Sequence, residues 1–430
     1  MIPSNAVRLA ALFFVLCYCA HADGQQEQQP DYASRPASHY VEQLSDEDLE
    51  VRRRAAYILG RIDAPAEIAV PALAEALSDR QMEIRWYAID ALGQFGAEAA
   101  PAVPAIVKSL ESTLNDETVR RRGARTLGRI GAAADEAVPT LQAALESDDA
   151  LYRIAAADAL WRIRREQEAL SIITTELQAS DAPTAFFAAT TITELPDLAG
   201  TSVSPQLVAA LRHPDADVRQ AVVGALVSTG PAAIEPLSQF LTQSQTLGKV
   251  DAARALGMLI ERQRANILYA DVAEREFAAA AGPLIRTAFP ALASNLSSDD
   301  ETLRSACILA LAKGGSVASF ALLKALQSEE EPTRHAAAQA LVRMEAYLPK
   351  QRPLPPHVAT VHERIVAPLI DTLDTDDSLV QRAGIRLFVA LQIGPAGADA
   401  RPHLERALAT GDLATRRFAD KALKQFENQQ

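Results

Sequence analysis

One short apolar helix recurs along almost the whole chain, and this repetition constrains the fold more than any other feature. Its clearest copies read PALAEAL, PAIVKSL, PTLQAAL, PQLVAAL, PALASNL and APLIDTL. Each copy carries two apolar residues four positions apart, which is the spacing of one helical face. The first residue of each pair recurs as Leu73, Ile106, Leu141, Ile173, Leu207, Leu237, Leu292, Leu322, Leu369 and Leu404. Most steps are about 30 to 35 residues long, so the sequence predicts a tandem array.

A second helix follows each copy after a turn that carries Asp or Glu. Counted from its first apolar residue, small or apolar residues fall at positions 0, 4, 7, 8 and 11. One example is the set Val119, Gly123, Thr126, Leu127 and Ile130. This pattern predicts an apolar stripe of helical period. A small residue at position 4 is expected to let the paired helix approach closely.

A glycine after the second helix and a proline before the next helix complete the unit. Gly96 and Gly131 stand where a left-handed cap would end the helix. A proline that opens the next helix loses no hydrogen bond there. We predict ten complete units, preceded by an incomplete one whose second helix is EVRRRAAYILGRI. One pair of helices cannot bury its stripe alone, so neighbouring pairs must stack around a continuous core.

The pattern of a turn acid, Val-Arg, Ala-x-x-Ala-Leu-Gly and then proline resembles the HEAT repeat in its bacterial, phycobilin-lyase-like form. The resemblance covers most of residues 40–430, which we assign to one domain. It implies an all-α fold, a right-handed α-α superhelix (an α-solenoid) of about ten to eleven helical hairpins. Such families serve mainly as binding scaffolds and include occasional enzymes.

The turn acid and an arginine at position 1 recur together. Resemblance to HEAT repeats implies that these groups form a structural ladder between adjacent repeats, and the turn Asp can also cap the second helix. The candidate ladder pairs are Asp79 with Arg85, Asp116 with Arg120, Asp148 with Arg153, Asp215 with Arg219, Asp299 with Arg304, Glu329 with Arg334 and Asp412 with Arg416. A catalytic group would not be copied in every repeat, which favours the structural interpretation.

Other arginines do not recur, and they are concentrated in the repeats nearest the N-terminus. They lie with tyrosines at positions 3, 6 and 10, along one flank of the second helix. The candidate binding residues are Arg54, Tyr57, Arg61, Tyr87, Arg122, Arg125, Arg129 and Arg162. Arginine and tyrosine together suit a protein-binding hot spot or an anion site. The alternative is a solvated helix face balanced by nearby acids.

Two segments precede the array. Residues 1–22 contain one arginine, an apolar run and the small-residue ending AHA, a pattern typical of a cleavable secretory signal. Residues 23–39 are polar and Gln-rich, which predicts a disordered linker. We therefore expect an exported protein, periplasmic or extracellular, with no transmembrane segment after cleavage. A retained membrane anchor is the rival interpretation.

Two steps of the array are longer than the rest and predict insertions near 262–285 and 346–364. The first predicts an extra helix near 267–281, and the second is proline-rich and predicts an extended loop. Both insertions leave the array between a second helix and the next first helix, hence on the same edge. They can carry function or be tolerated surface additions.

Motifs for catalysis, cofactors or metals are absent from the sequence, which has no HExxH, no Gly-rich phosphate loop and no CxxC. His357, His362 and Glu363 form a weak metal pattern, since most structural metal sites have clearer ligand spacing. We predict no catalytic residue, no cofactor and no metal. Cys307 falls at an apolar helix position and is expected to be a small buried core residue.

These features favour a noncatalytic, monomeric scaffold that binds an unidentified protein partner or an extended polymer along its concave face. A phycobilin-lyase-like or other HEAT-type enzyme is an alternative suggested only by the repeat subtype. A binder of sulfated polysaccharide or nucleic acid, using the N-terminal arginines, is a third. The formal net charge of -13 argues against duplex nucleic acid as a partner.

Overall fold

The computed structural model describes residues 35–112, 116–196, 198, 204–243, 247–269, 281–348, 356–391 and 395–427. These residues form α-helices joined by turns, short 3₁₀ segments and one π-helical turn, and they contain no strand. The all-α class predicted from the sequence is therefore confirmed. The predicted signal segment lies outside the described residues.

The chain divides into two compact units, residues 1–133 and 134–430. The described part of the first unit contains three helical hairpins. They are α1 Ala37–Gln43 with α2 Leu49–Leu59, α3 Ala66–Ala76 with α4 Met82–Gln94, and α5 Val103–Glu111 with α6 Glu117–Ile130.

The described part of the second unit contains eight hairpins of the same kind. They are α7 Val138–Ala144 with α8 Ala150–Arg164, α9 Gln167–Glu176 with α10 Ala182–Glu194, α11 Ser204–Ala210 with α12 Ala216–Ser228, α13 Ile234–Thr242 with α14 Lys249–Tyr269, α15 Phe289–Ala293 with α16 Glu301–Lys313, α17 Ser319–Leu326 with α18 Glu331–Met344, α19 Pro356–Asp371 with α20 Ser378–Leu391, and α21 Arg401–Thr410 with α22 Leu413–Glu427. The predicted number of about ten to eleven hairpins is confirmed.

Within each unit, every second helix packs on its own first helix and on the second helices of the neighbouring repeats. This nearest-neighbour stacking is the arrangement of an α-solenoid. The recurring apolar residues of the first helices form its core: all ten, from Leu73 to Leu404, are 0 % exposed. The periodicity that predicted the array is therefore the periodicity of the buried core.

The first repeat differs from the sequence prediction. Helix α1 begins at Ala37, inside the segment expected to be a linker, and it packs on α2. Its Tyr40 and Leu44 are buried and lie four positions apart, as in the other first helices. The prediction of an incomplete first unit was wrong because an aromatic residue and a polar surrounding sequence concealed this spacing.

Glycines close the second helices and allow close packing. Gly96 and Gly131 have positive φ values of +52° and +72°, for which glycine is favoured. The ψ of Gly131 is -143°, so its cap is not the left-handed helical one that was predicted. At Gly123, in position 4 of α6, a Cβ atom would lie 2.6 Å from Leu110 Cδ2 of the paired helix. The predicted close approach at position 4 is thus confirmed at this repeat.

A second close approach joins successive second helices. A Cβ atom at Gly60 would lie 2.9 Å from Ala91 Cα, and one at Gly257 would lie 3.3 Å from Ala310 Cβ. Both glycines occupy position 9 and face position 7 of the next second helix. The glycine of the Ala-Leu-Gly pattern therefore sets the spacing between repeats.

Both predicted insertions fall partly outside the described residues, at 270–280 and 349–355. The extra helix expected near 267–281 cannot be placed within the described part, where α14 continues to Tyr269. The second insertion differs from its prediction, because α19 already begins at Pro356.

Among the described residues, no single helix combines the length and apolar character needed to cross a membrane. One pair, Glu301–Lys313 with Gly315–Leu326, meets those criteria jointly and is bent by 118°.

Candidate functional site

The arginine at position 1 of the second helix contacts its own turn and the turn of the following repeat. Arg52 donates through Nη1 to the carbonyl oxygens of Asp46 and Glu47 in its own turn, at 2.8 and 3.0 Å. Through Nε it donates to Asp79 Oδ2, at 2.8 Å, in the turn of the following repeat. The side chains of Arg52 and Asp79 are only 5 % and 12 % exposed. This pair ties two repeats together and is closed to large partners.

Other repeats vary this arrangement. Arg219 donates to Asp251 of the next repeat at 2.9 Å, and Arg153 donates to Glu176 at 2.9 Å. Arg85 and Arg304 donate to backbone carbonyl oxygens of their own turns. Where such an arginine reaches an acid, the acid belongs to the next repeat and not to the arginine's own turn.

The turn acids cap the second helices. Asp116 accepts from the Val119 amide at 2.9 Å, and Asp215 accepts from two amides of α12. In two repeats the capping residue is the acid one position after the predicted one: Asp149 follows Asp148, and Asp300 follows Asp299. Arg120 lies four residues after Asp116, in the first turn of α6. Residues 113–115, just before Asp116, lie outside the described part of the chain.

Aromatic and arginine side chains meet on the flanks of α2 and α4. The Tyr57 and Tyr87 rings contact each other edge to face, with centroids 5.8 Å apart. The Arg61 guanidinium lies 3.8 Å from the centroid of the Tyr57 ring, in a cation–π contact. Both tyrosines are half-buried and Arg61 is exposed. The two helices therefore present a fixed aromatic pair with a cation above it.

A single carboxylate lies beside the arginines of α6. Asp90, on α4, forms an ion pair with Arg122, and Arg129 and Arg125 also act electrostatically on its carboxylate. Burial raises the pKa of Asp90 above its usual value, although the three arginines each lower it. The arginine cluster seen in the sequence is thus built around an acid from the preceding repeat.

Trp86 also belongs to this surface. Its ring centroid lies 5.9 Å from the Arg122 guanidinium, and its buried indole Nε1 has no hydrogen-bond partner among the described residues. We call the group the aromatic–arginine surface: Tyr57, Arg61, Trp86, Tyr87, Asp90, Arg122, Arg125 and Arg129. Trp86 was not among the predicted binding residues because it lies at position 2 of its helix, whereas those residues lie at positions 3, 6 and 10. The signal was available, since Trp86 and Asp90 are one helical turn apart.

Two predicted binding residues stand apart. Arg54 is exposed on α2. Arg162 belongs to the second unit, where its Nε donates to Asp158 at 2.6 Å and its Nη2 donates to the Glu194 carbonyl at 3.1 Å. The structure therefore groups six of the eight predicted binding residues around the tyrosines and Asp90 of the first unit: Tyr57, Arg61, Tyr87, Arg122, Arg125 and Arg129.

Residues 37–118 and 103–189 match the family model for HEAT repeats. Residues 37–189 of the chain are HEAT repeats. The matched region starts at α1, which agrees with a complete first hairpin, and it contains the whole aromatic–arginine surface. The HEAT-repeat fold is compatible with a protein-interaction scaffold.

Solved structures share parts of the arrangement at low sequence identity. An engineered protein is 22 % identical with a TM-score of 0.31, and the alignment covers 91 % of this chain and 98 % of that one. Importin beta is 14 % identical with a TM-score of 0.47, covering 97 % of this chain and 58 % of that one. Kap95p, in a structure with RanGDP, is 12 % identical with a TM-score of 0.45, covering 90 % and 55 %. No curated protein matches the sequence. The assignment therefore rests on the family model and the hairpins.

Chemistry elsewhere in the described residues is sparse. They contain no cluster of three or more His, Cys, Asp or Glu side chains that could hold a metal ion. His357, His362 and Glu363 lie on α19, and their side chains are outside the described part. Cys307 is fully buried, as predicted, and burial raises the pKa of its thiol to about 12. A thiol in that state is a poor nucleophile at neutral pH.

Proposed function

We propose that this HEAT-repeat protein is an exported, noncatalytic scaffold that binds a protein partner through the aromatic–arginine surface. The observation that carries the proposal is the contact of Tyr57 with Tyr87 and Arg61 across two neighbouring second helices. Rings and guanidinium groups already held by contacts lose little conformational freedom on binding. Tyrosine, tryptophan and arginine are also the residues that most often dominate binding energy at protein interfaces.

The position of the surface supports the same function. It lies on the flank of the second helices, which we assign to the concave face of the solenoid. The ladder arginines, in contrast, are committed to backbone carbonyls and acids between repeats. The scaffold can therefore keep its repeats together while the flank residues engage a partner.

Export is part of the proposal and rests on the signal-like residues 1–22. Amino-terminal sequencing of the protein recovered from its native host tests it. Cleavage after Ala22 supports export, and an intact first residue contradicts it.

Partner binding is tested by affinity capture from an extracytoplasmic extract, followed by mass spectrometry. Charge reversal of the flank arginines should abolish capture, because it removes the cations and places acids beside Asp90. The test variant changes Arg122, Arg125 and Arg129 to Glu, and the matched control changes the exposed Arg401, Arg406 and Arg417 to Glu. Equal capture by both variants, each folded by circular dichroism, would overturn the proposal.

A further inference from the structure

The ion pair between Arg122 and Asp90 differs from the ladder pairs in its exposure. The two side chains are 41 % and 45 % exposed, so solvent and a partner can reach them. The Arg52–Asp79 pair, which has the same inter-repeat spacing, is almost closed to solvent. Because exposed ion pairs contribute about 0–1 kcal/mol, an incoming carboxylate can replace Asp90 at little cost. The Arg122–Asp90 pair can therefore exchange its carboxylate for one from a partner, whereas the Arg52–Asp79 pair cannot.

Charge around Asp90 is unbalanced. Asp90 is paired with Arg122, and Arg129 of the same helix also acts on its carboxylate, so positive charge remains after the internal pair has formed. Guanidinium groups bind carboxylates in a planar, two-pronged geometry. The surface therefore already holds one carboxylate and has charge to attract another.

Apolar contacts are available beside the cations. Tyr57 and Tyr87 offer ring edges and faces, and Trp86 lies under Arg122. Long polyanions are a poorer match, because few cations are present here and the chain carries a formal net charge of -13. An acidic segment of a protein with interspersed apolar side chains fits both features of the surface.

Resting on the function proposed above, we infer that the partner presents an extended acidic peptide segment, and that Asp90 is an internal competitor for the arginines that receive it. In the free protein Asp90 occupies Arg122. On binding, a partner carboxylate takes its place, and contacts to the tyrosines add to the affinity. Asp90 thus lowers the affinity of the site and favours ligands whose carboxylate is supported by apolar neighbours.

The test is calorimetric titration of the protein with a hexapeptide that alternates glutamate with leucine. We expect Asp90→Asn to bind this peptide up to about fivefold more tightly than the wild type, a difference of up to about 1 kcal/mol. Arg122→Gln should bind at least tenfold more weakly. The same peptide with glutamine in place of glutamate should not bind. Asp135→Asn is the matched control, since Asp135 forms an exposed ion pair with Arg164 outside the surface.

Trp86 provides a second readout. Arg122 lies close to its ring, so exchange of the carboxylate should change tryptophan fluorescence in the wild type. The change should be absent from Trp86→Phe, which would identify Trp86 and not Trp161 as the reporter. Asn has the shape of Asp and the Asp90 side chain is 45 % exposed, so Asp90→Asn is expected to fold.

Equal or weaker peptide binding by Asp90→Asn would overturn the inference. So would tighter binding of a heparin oligosaccharide or single-stranded RNA than of the peptide by that variant. These outcomes are distinct from failure of the proposed function. If charge reversal of the flank leaves partner capture intact, the proposed function fails; if capture is lost but Asp90→Asn does not tighten the peptide, only the role of Asp90 fails.

Discussion

The substitution Gly60→Ala tests whether position 9 sets the spacing between repeats. Gly60 ends α2 with φ of -80°, a conformation that alanine adopts without strain. The added Cβ would nevertheless lie 2.9 Å from the Cα and 3.0 Å from the Cβ of Ala91. The nearer atom is backbone, so no side chain can rotate away and α2 must move from α4.

The expected size of the effect follows from two opposing terms. Overpacking of this kind costs about 1–3 kcal/mol. Better helix propensity returns up to about 1 kcal/mol when alanine replaces glycine. We expect a net loss of about 1–2 kcal/mol in the free energy of unfolding. The displacement should also separate Tyr57 from Tyr87 and weaken partner capture.

Gly224→Ala is the matched control. Gly224 lies inside α12, and its added Cβ would meet Thr193 Oγ1 at 3.6 Å, an ordinary contact. This variant should gain about 0.5–1 kcal/mol from helix propensity alone. Urea unfolding of both variants gives the comparison. If Gly60→Ala is as stable as Gly224→Ala, position 9 does not set the spacing.

Two further predictions concern the turns and the ladder. Asp181 is the N-cap of α10, and hydrogen bonds from the Thr184 side chain and amide lower the pKa of its carboxyl. The stabilisation of the fold by this carboxylate is therefore complete above the ordinary pKa of aspartate and is lost as the pH falls through the lowered pKa. Asp181→Ala should cost about 1 kcal/mol at neutral pH and less as the pH falls below the ordinary pKa of aspartate, whereas Asp181→Asn keeps the cap; a pH-independent loss for Asp181→Ala would contradict this reasoning. Arg219→Met should cost about 1–2 kcal/mol because it leaves the Asp251 carboxylate, 13 % exposed, with only the longer contact to Arg254 at 3.4 Å. Adding Asp251→Leu should then cost less than it does in the wild-type background, and simple additivity in urea titrations would show that the pair is not coupled.

The sequence predicted the hairpins because their stripes are local and periodic. Leu73 to Leu404 follow helical spacing, and each is buried against its own repeat and its neighbours. The caps at Gly96 and Gly131 were equally local, since a glycine closing a helix needs only its own backbone conformation. Repeat proteins favour such predictions, because each unit contacts only adjacent units.

The pairing of charges could not be read from one repeat. Asp79 lies in the same turn that Arg85 follows, yet its carboxylate binds Arg52 of the preceding repeat. Asp90 lies on α4, and nothing in that repeat indicates that it pairs with Arg122 of the next one. Both contacts depend on the register between neighbouring second helices, which glycines such as Gly60 determine sterically. The sequence therefore predicts the arginines and tyrosines of this surface, but not the acid with which Arg122 pairs.

The most direct test of the central claim is photo-cross-linking from the aromatic–arginine surface. A benzophenone amino acid at Tyr87 should become covalently attached to the captured partner on irradiation. The same amino acid at Phe320, a highly exposed residue of the first helix α17, should not. Attachment at Tyr87 alone is the result the account predicts. Attachment at Phe320 without attachment at Tyr87, from variants that capture the partner equally well, would contradict it.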